Sequence, residues 1–208
     1  IDAFQSMPPL FVAVSAILGL LVGSFLNVVI HRLPRMMEND WRAQCAELAI
    51  VVDQDAPTQA AERPAYNLVV PRSACPGCGH QITAIENIPI VSYLALGGKC
   101  RGCKRKISPR YPLVEGITAV LSGLIAWHFG FGVAGVSALI LLWGLIALTF
   151  IDADTQLLPD SITLPLLWLG LIVNINGAFI DLRAAVLGAV FGYLALWSVY
   201  WVFKLVTK

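Results

Sequence analysis

Five apolar runs restrict the folds open to this 208-residue chain more than any other feature: Leu10 to Ile30, Leu113 to Phe129, Val133 to Phe150, Ile162 to Val173 with its flanks, and Ala184 to Phe203. About 20 such residues cross a bilayer as a helix, because a helix satisfies its own backbone polar groups where no water can reach them. The fourth run is the shortest. Composition agrees, with 58% hydrophobic and 13% charged residues, against about 45–50% and about 25% in soluble domains. The expected fold is an all-α polytopic membrane helix bundle of about five transmembrane helices, which excludes a soluble enzyme and a disordered chain. The first run lacks a basic leader and a small-residue cleavage site and ends in His31 and Arg32, so it reads as a retained anchor. Three parts follow: an anchor at 1–31, an insertion at 32–111, and a four-helix part at 112–208.

Charge sets the orientation. Fourteen basic and thirteen acidic residues leave a net charge of +1, with no bulk field to hold nucleic acid or an acidic partner. Eleven of the fourteen basic residues fall between Arg32 and Arg110, and the positive-inside rule makes that insertion cytoplasmic. Alternation then puts the N-terminus and the Gly130 turn outside, Asp152 to Asp160 inside, the Asn174 to Arg183 turn outside, and Lys204 inside. Within the insertion, Met36 to Ala65 is polar and low in aromatics, the profile of a mobile or loosely packed stretch. From residue 66 to 110 it is richer in Pro, Gly and Cys, with short β-branched pieces at Leu68 to Val70 and Ile88 to Val91. No internal repeat is visible.

Four of the five cysteines form two pairs, Cys75 with Cys78 and Cys100 with Cys103, separated by 21 residues. That spacing matches a zinc ribbon, in which each Cys-x-x-Cys turn aims two thiolates at one tetrahedral ion. Four sulfur ligands leave no open catalytic position, so zinc here is expected to staple a module too small to bury a core. A thiol redox pair is the competing reading. Gly79 and Gly102 suit tight knuckle backbones. His80 would be a fifth donor and reads as a surface histidine, and Cys45 has no partner in its polar stretch.

Three acids, Asp152, Asp154 and Asp160, cluster at the expected cytoplasmic boundary between the third and fourth spans. Carboxylates beside hydrocarbon are costly and default to a functional hypothesis. Asp160 fits a helix N-cap after Pro159, and Asp154 fits a loop residue facing water. Asp152 is different. In the last turn of its span it meets the negative end of the helix dipole beside apolar neighbours, a setting suited to a carboxyl that exchanges a proton. Glu115, in the first turn of a helix opened by Pro112, is either stabilised by the dipole or faces the bundle interior. Asn27 and the small residues Gly19 and Gly23 imply close helix packing glued by a side-chain hydrogen bond.

With these stretches in view, the chain resembles the type IV prepilin peptidase family. The matching segments are Gly23-Ser-Phe-Leu-Asn-Val-Val-Ile-His-Arg-Leu-Pro34, the two cysteine knuckles, Asn87-Ile-Pro-Ile-Val-Ser-Tyr93, Arg110-Tyr-Pro-Leu-Val-Glu115, and Ile151-Asp-Ala-Asp-Thr-Gln-Leu-Leu-Pro-Asp160. The resemblance implies an inner-membrane aspartic protease that cuts the basic leader from prepilins and pseudopilins and N-methylates the product with S-adenosylmethionine. It makes Asp152 the first of two catalytic aspartates and the four cysteines the zinc ligands of a cytoplasmic domain. The family's second aspartate lies in a Gly-x-Gly-Asp motif, which these residues do not contain. The expectation is therefore a shortened form, or the ordered part, of a longer protein, inactive without that remainder, which would be its partner. Asp154 is a poor substitute, since residues two apart on a helix point to nearly opposite faces.

Two other classes share parts of this pattern. A membrane scaffold whose zinc module binds a partner would need the spans and cysteines without Asp152. A membrane thiol oxidoreductase would need reactive cysteines free of metal.

Overall fold

The computed structural model describes residue 4 and residues 7–52, 66–83 and 85–207. Among these the elements run α1 Pro8–Val52, a 3-10 turn Ile85–Asn87, α2 Val91–Ala95, α3 Arg110–Phe129, α4 Val133–Thr155, α5 Asp160–Asn174 and α6 Leu182–Val206. No strand occurs among the described residues beyond two isolated antiparallel bridges, Ala74 with Gln81 and Lys99 with Lys106.

Four of these helices, α1, α3, α4 and α6, are long and apolar enough to cross a membrane. At 1.5 Å per residue, the 20, 23 and 25 residues of α3, α4 and α6 extend about 30–38 Å, against about 30 Å of hydrocarbon. The fourth expected span differs. Helix α5 has 15 residues and reaches only about 22 Å. Pro159 sets its start, and Asn174 ends it by donating to the Gly170 carbonyl at 2.9 Å while its Oδ1 accepts from the Phe179 and Ile180 amides at 3.1 and 3.0 Å.

Helix α1 departs from expectation in the other direction. Its 45 residues continue through Pro34 to Val52, so the stretch from Met36, expected to be loose, is helical as far as it is described. Met, Glu, Arg, Gln, Ala and Leu dominate there, all strong helix formers, and Arg42 pairs with Glu38 one turn back at 2.6 Å. Residues 53–65 lie outside the described residues.

Small residues then decide the packing. A Cβ on Gly19 would stand 2.6 Å from Ser122 Oγ, and one on Gly23 would stand 2.8 Å from Glu115 Cα. The backbones of α1 and α3 therefore meet closely, and Asn27 Nδ2 donates across the seam to the Tyr111 carbonyl at 3.1 Å, as the small-residue spacing implied. Helix α4 completes a three-helix core. Leu26, Ile30, Val114, Ile146, Ala147 and Ile151 fill the end that carries Asp152, while Phe11, Ala126 and Leu139 fill the opposite end. Between them Trp143 Nε1 donates to Ser122 Oγ at 2.9 Å. Helix α6 has no buried residue, and its apolar surface faces outward.

Candidate functional site

Each cysteine pair sits in a backbone knuckle. The Cys75 amide donates to the His80 carbonyl at 2.9 Å and the Cys75 carbonyl accepts from Gly79 at 2.9 Å; the Cys100 amide donates to Arg105 at 2.8 Å and its carbonyl accepts from Lys104 at 3.0 Å. Every bond repeats 25 residues later, and so do the two flanking bridges. The module is thus a short structural repeat, hidden in the sequence because the knuckles share little beyond the cysteines and one glycine.

The glycines have two separate reasons. In both knuckles the residue after the second cysteine is left-handed, Gly79 at φ +70° and Lys104 at φ +60°, so Gly79 fills the role expected of it. Gly102 does not. It corresponds to Gly77, and each faces the opposite knuckle: a Cβ on Gly77 would lie 3.1 Å from Arg105 Cδ, and one on Gly102 would lie 3.3 Å from Cys78 Sγ and 3.4 Å from His80 Cβ.

This face-to-face approach gathers the sulfurs. Cys75 and Cys103 Sγ are 3.7 Å apart, Cys78 and Cys100 Sγ are 3.9 Å apart, and all four lie within 4.8 Å of one another. Ligand bonds of about 2.3 Å to a tetrahedral ion place sulfurs about 3.8 Å apart. The four cysteines can therefore hold one metal ion, and they are not joined as disulfides. The Gly77 and Cys78 amides draw the Cys75 thiol down to about 6. Cys78 is pushed up to about 11, because desolvation and the neighbouring sulfurs outweigh the His80 amide that favours its thiolate. His80 is occupied elsewhere, its Nε2 standing 3.2 Å from both oxygens of Glu86. The Thr83 amide, at 2.9 Å, holds that carboxyl below its ordinary value. Cys45 is exposed on α1, away from the cluster.

Two buried polar side chains fasten this module to the bundle. Arg32, 7% exposed, donates to the Asn67 carbonyl at 2.9 Å. Glu115, also 7% exposed, accepts from the Ile90 amide at 2.7 Å. Of its two sequence readings, the inward-facing polar group is the one observed. Ile90 is left-handed at φ +57°, a conformation that a β-branched residue keeps only where its surroundings hold it.

The three aspartates gather at one end of the bundle and differ in what they touch. Asp154 is exposed, as expected, but lies in α4 rather than in a loop and is gripped by Arg110, with Nη1 to Oδ1 at 2.8 Å and Nη2 to Oδ2 at 2.7 Å. Asp160 is not the N-cap; Pro159 holds that position in an extended conformation and has no side-chain acceptor, so Asp160 is the first helical residue of α5 and is exposed. An acid in a first turn still complements the dipole. Asp152 lies in the last turn of α4, which closes when the left-handed Gln156 donates its amide to the Asp152 carbonyl at 2.8 Å. Its side chain is exposed, so the apolar neighbours expected around it do not come from the described bundle. The pairing of Arg110 with Asp154 was not read from the sequence. The available signal was a cation at a helix N-terminus, where the dipole opposes it unless a partner is near.

A helix bundle of membrane-spanning length, bearing a four-cysteine module that could hold a metal ion and an acidic edge, defines a polytopic membrane protein with a cysteine-rich insertion. The pattern of the bacterial peptidase A24 N-terminal domain matches residues 17–129, and that of the type IV leader peptidase family matches residues 139–206. The chain belongs to the type IV leader peptidase family. It is 60% identical over 207 residues to a prepilin leader peptidase/N-methyltransferase of Pseudomonas aeruginosa, covering 100% of this chain and 69% of that relative. A protein of the same description from Stutzerimonas stutzeri is 57% identical, covering 100% of the chain and 70% of the relative, and one from Neisseria gonorrhoeae is 54% identical, covering 97% and 68%. No solved structure matches the chain.

Proposed function

We propose that this protein is a membrane aspartic endopeptidase that removes the basic leader from prepilins and pseudopilins at the cytoplasmic face of the inner membrane, then methylates the new N-terminus with S-adenosylmethionine. The observation that carries this is the match, over the whole chain, to relatives named for those two activities. It also disfavours a scaffold without chemistry. The N-terminus and the Gly130 turn lie in the periplasm, and the cysteine module lies in the cytosol with zinc on Cys75, Cys78, Cys100 and Cys103. That zinc supplies folding energy and no open coordination position for substrate.

Asp152 supplies the first carboxyl. A prepilin has a charged leader in water and an apolar helix in lipid, so its scissile bond reaches the membrane edge where α4 ends. An aspartic mechanism needs two carboxyls that share a proton, one activating water and the other protonating the departing amine. Asp154 is unsuited to be the second because Arg110 holds both of its oxygens. We assign the second to the Gly-x-Gly-Asp segment of the family, which these 208 residues do not contain. Among the described residues no strand runs into a glycine-rich loop of the kind that cradles a nucleotide.

The deciding measurement is prepilin cleavage by the full-length protein reconstituted in lipid. Asp152→Asn should keep its melting temperature and lose about 10³-fold or more in rate, because an amide cannot exchange the proton. Asp160→Asn should stay within severalfold of wild type. An Asp152→Asn protein that cleaves at the normal rate would remove Asp152 from the mechanism.

A further inference from the structure

The contacts of Arg110 deepen the peptidase reading and rest on it. Arg110 opens α3, where the helix dipole opposes a cation, and Asp154 closes α4, where it opposes an anion. Each is misplaced on its own helix. The two ends meet, and a two-pronged ion pair resolves both conflicts, with N–O distances of 2.8 and 2.7 Å. The guanidinium also lies over the Phe150 ring, 5.2 Å from its centroid, and one nitrogen stands 3.5 Å from the Phe150 carbonyl. Phe150 and Asp154 are one turn apart, so Arg110 covers a single strip along the last turns of α4.

Asp152 sits between them in sequence and about 200° around the helix from each, at 3.6 residues per turn. Among the described residues its side chain has no hydrogen-bond or ion-pair partner. The helix end is therefore clamped on one face and bare on the other. One guanidinium at this edge has two carboxylates within two residues of each other to choose from, and it takes Asp154. A carboxyl that must gain and lose a proton is thereby left without a bound cation, on a turn that the ion pair joins to the start of α3. Arg110 follows Cys103 by seven residues, and its amide donates to Ser108 Oγ at 3.3 Å, so the ion pair lies where the chain passes from the cysteine module into α3.

We propose that Arg110, through its ion pair with Asp154, is a positioning residue that fixes the last turn of α4 and leaves the Asp152 carboxyl free for proton transfer.

The test is the cleavage kinetics of the full-length protein on a prepilin, with melting temperatures measured alongside. Arg110→Gln and Asp154→Asn should each lower kcat by about 10- to 100-fold, the scale of a small misplacement of a reacting group, and leave KM unchanged. Arg110→Lys should fall between, since it keeps the charge and loses the fork. The exchange Arg110→Asp with Asp154→Arg should restore most of kcat, because each residue then agrees with its own helix dipole. An exchange as slow as the single variants at an unchanged melting temperature overturns the proposal and makes Asp154 itself a reacting group. Single variants at wild-type kcat overturn it as well, with the peptidase reading intact. A wild-type protein that cleaves no prepilin removes both.

Discussion

In the cysteine module, from residue 66 to 109, only Pro89, Gly98 and Cys100 are buried among the described residues. Helix α3 alone buries Val114, Glu115, Thr118, Ala119, Ser122, Gly123 and Ala126. The module can draw little from apolar burial, and its four gathered cysteines could hold a metal ion that would replace a core. The bundle needs no metal. It is held by close backbone approach at Gly19 and Gly23 and by hydrogen bonds from Asn27 and Trp143 across helices. Two regions with separate sources of stability should fail separately, and they meet only at contacts such as Arg32 with Asn67 and Glu115 with Ile90.

The largest expected separation comes from Cys75→Ser. Bound zinc, expected at one ion per chain, should be lost in elemental analysis, and the module should become open to limited proteolysis while the helical signal of the bundle persists. Collapse of the whole molecule would show that the bundle leans on the metal and would break the comparison. The converse change is Gly23→Leu, which forces a side chain against the Glu115 backbone, 2.8 Å from where its Cβ would stand. Overpacking of this kind costs about 1–3 kcal/mol and should appear as a lower melting temperature with zinc content unchanged.

The smallest effect sharpens the comparison inside the module, where the two knuckles differ at one left-handed position. Gly79→Ala meets open space but a forbidding backbone conformation and should cost about 1–2 kcal/mol, read as weaker zinc retention against a chelator. Lys104→Gly, at the corresponding place, should retain zinc at least as well as wild type. Equal losses from the two substitutions would mean that the knuckles are not equivalent.

How much of this was legible in the chain depends on the range of the interaction. Hydropathy is local, so the spans near 113–129, 133–150 and 184–203 were readable, and α3, α4 and α6 follow them within a few residues. Cysteine spacing is local too, and a metal imposes its own geometry on two Cys-x-x-Cys turns. The fourth run was already marked as the shortest, but what ends α5 was not legible, because Asn174 closes that helix through bonds to residues five and six places ahead. The reach of α1 was missed for a different reason. A polar composition is compatible both with a loose strand of chain and with a solvated helix, and helix propensity favoured the second.

The amino-acid order by itself determined that the chain enters a membrane, that a cysteine-rich insertion interrupts its helices, and that acids gather where α4 ends. Those properties belong to single segments, and their physics acts over a few residues. Tertiary structure decided the rest. Arg110 lies 44 residues from Asp154, and Glu115 lies 25 residues from the amide it holds. Residues so far apart in the chain come within 3 Å only after helices have packed, and packing depends on where small residues let backbones approach. That is why four carboxylates which look alike in sequence, Glu115, Asp152, Asp154 and Asp160, become a buried tether, an exposed carboxyl in a last turn, half of an ion pair and an exposed first-turn acid.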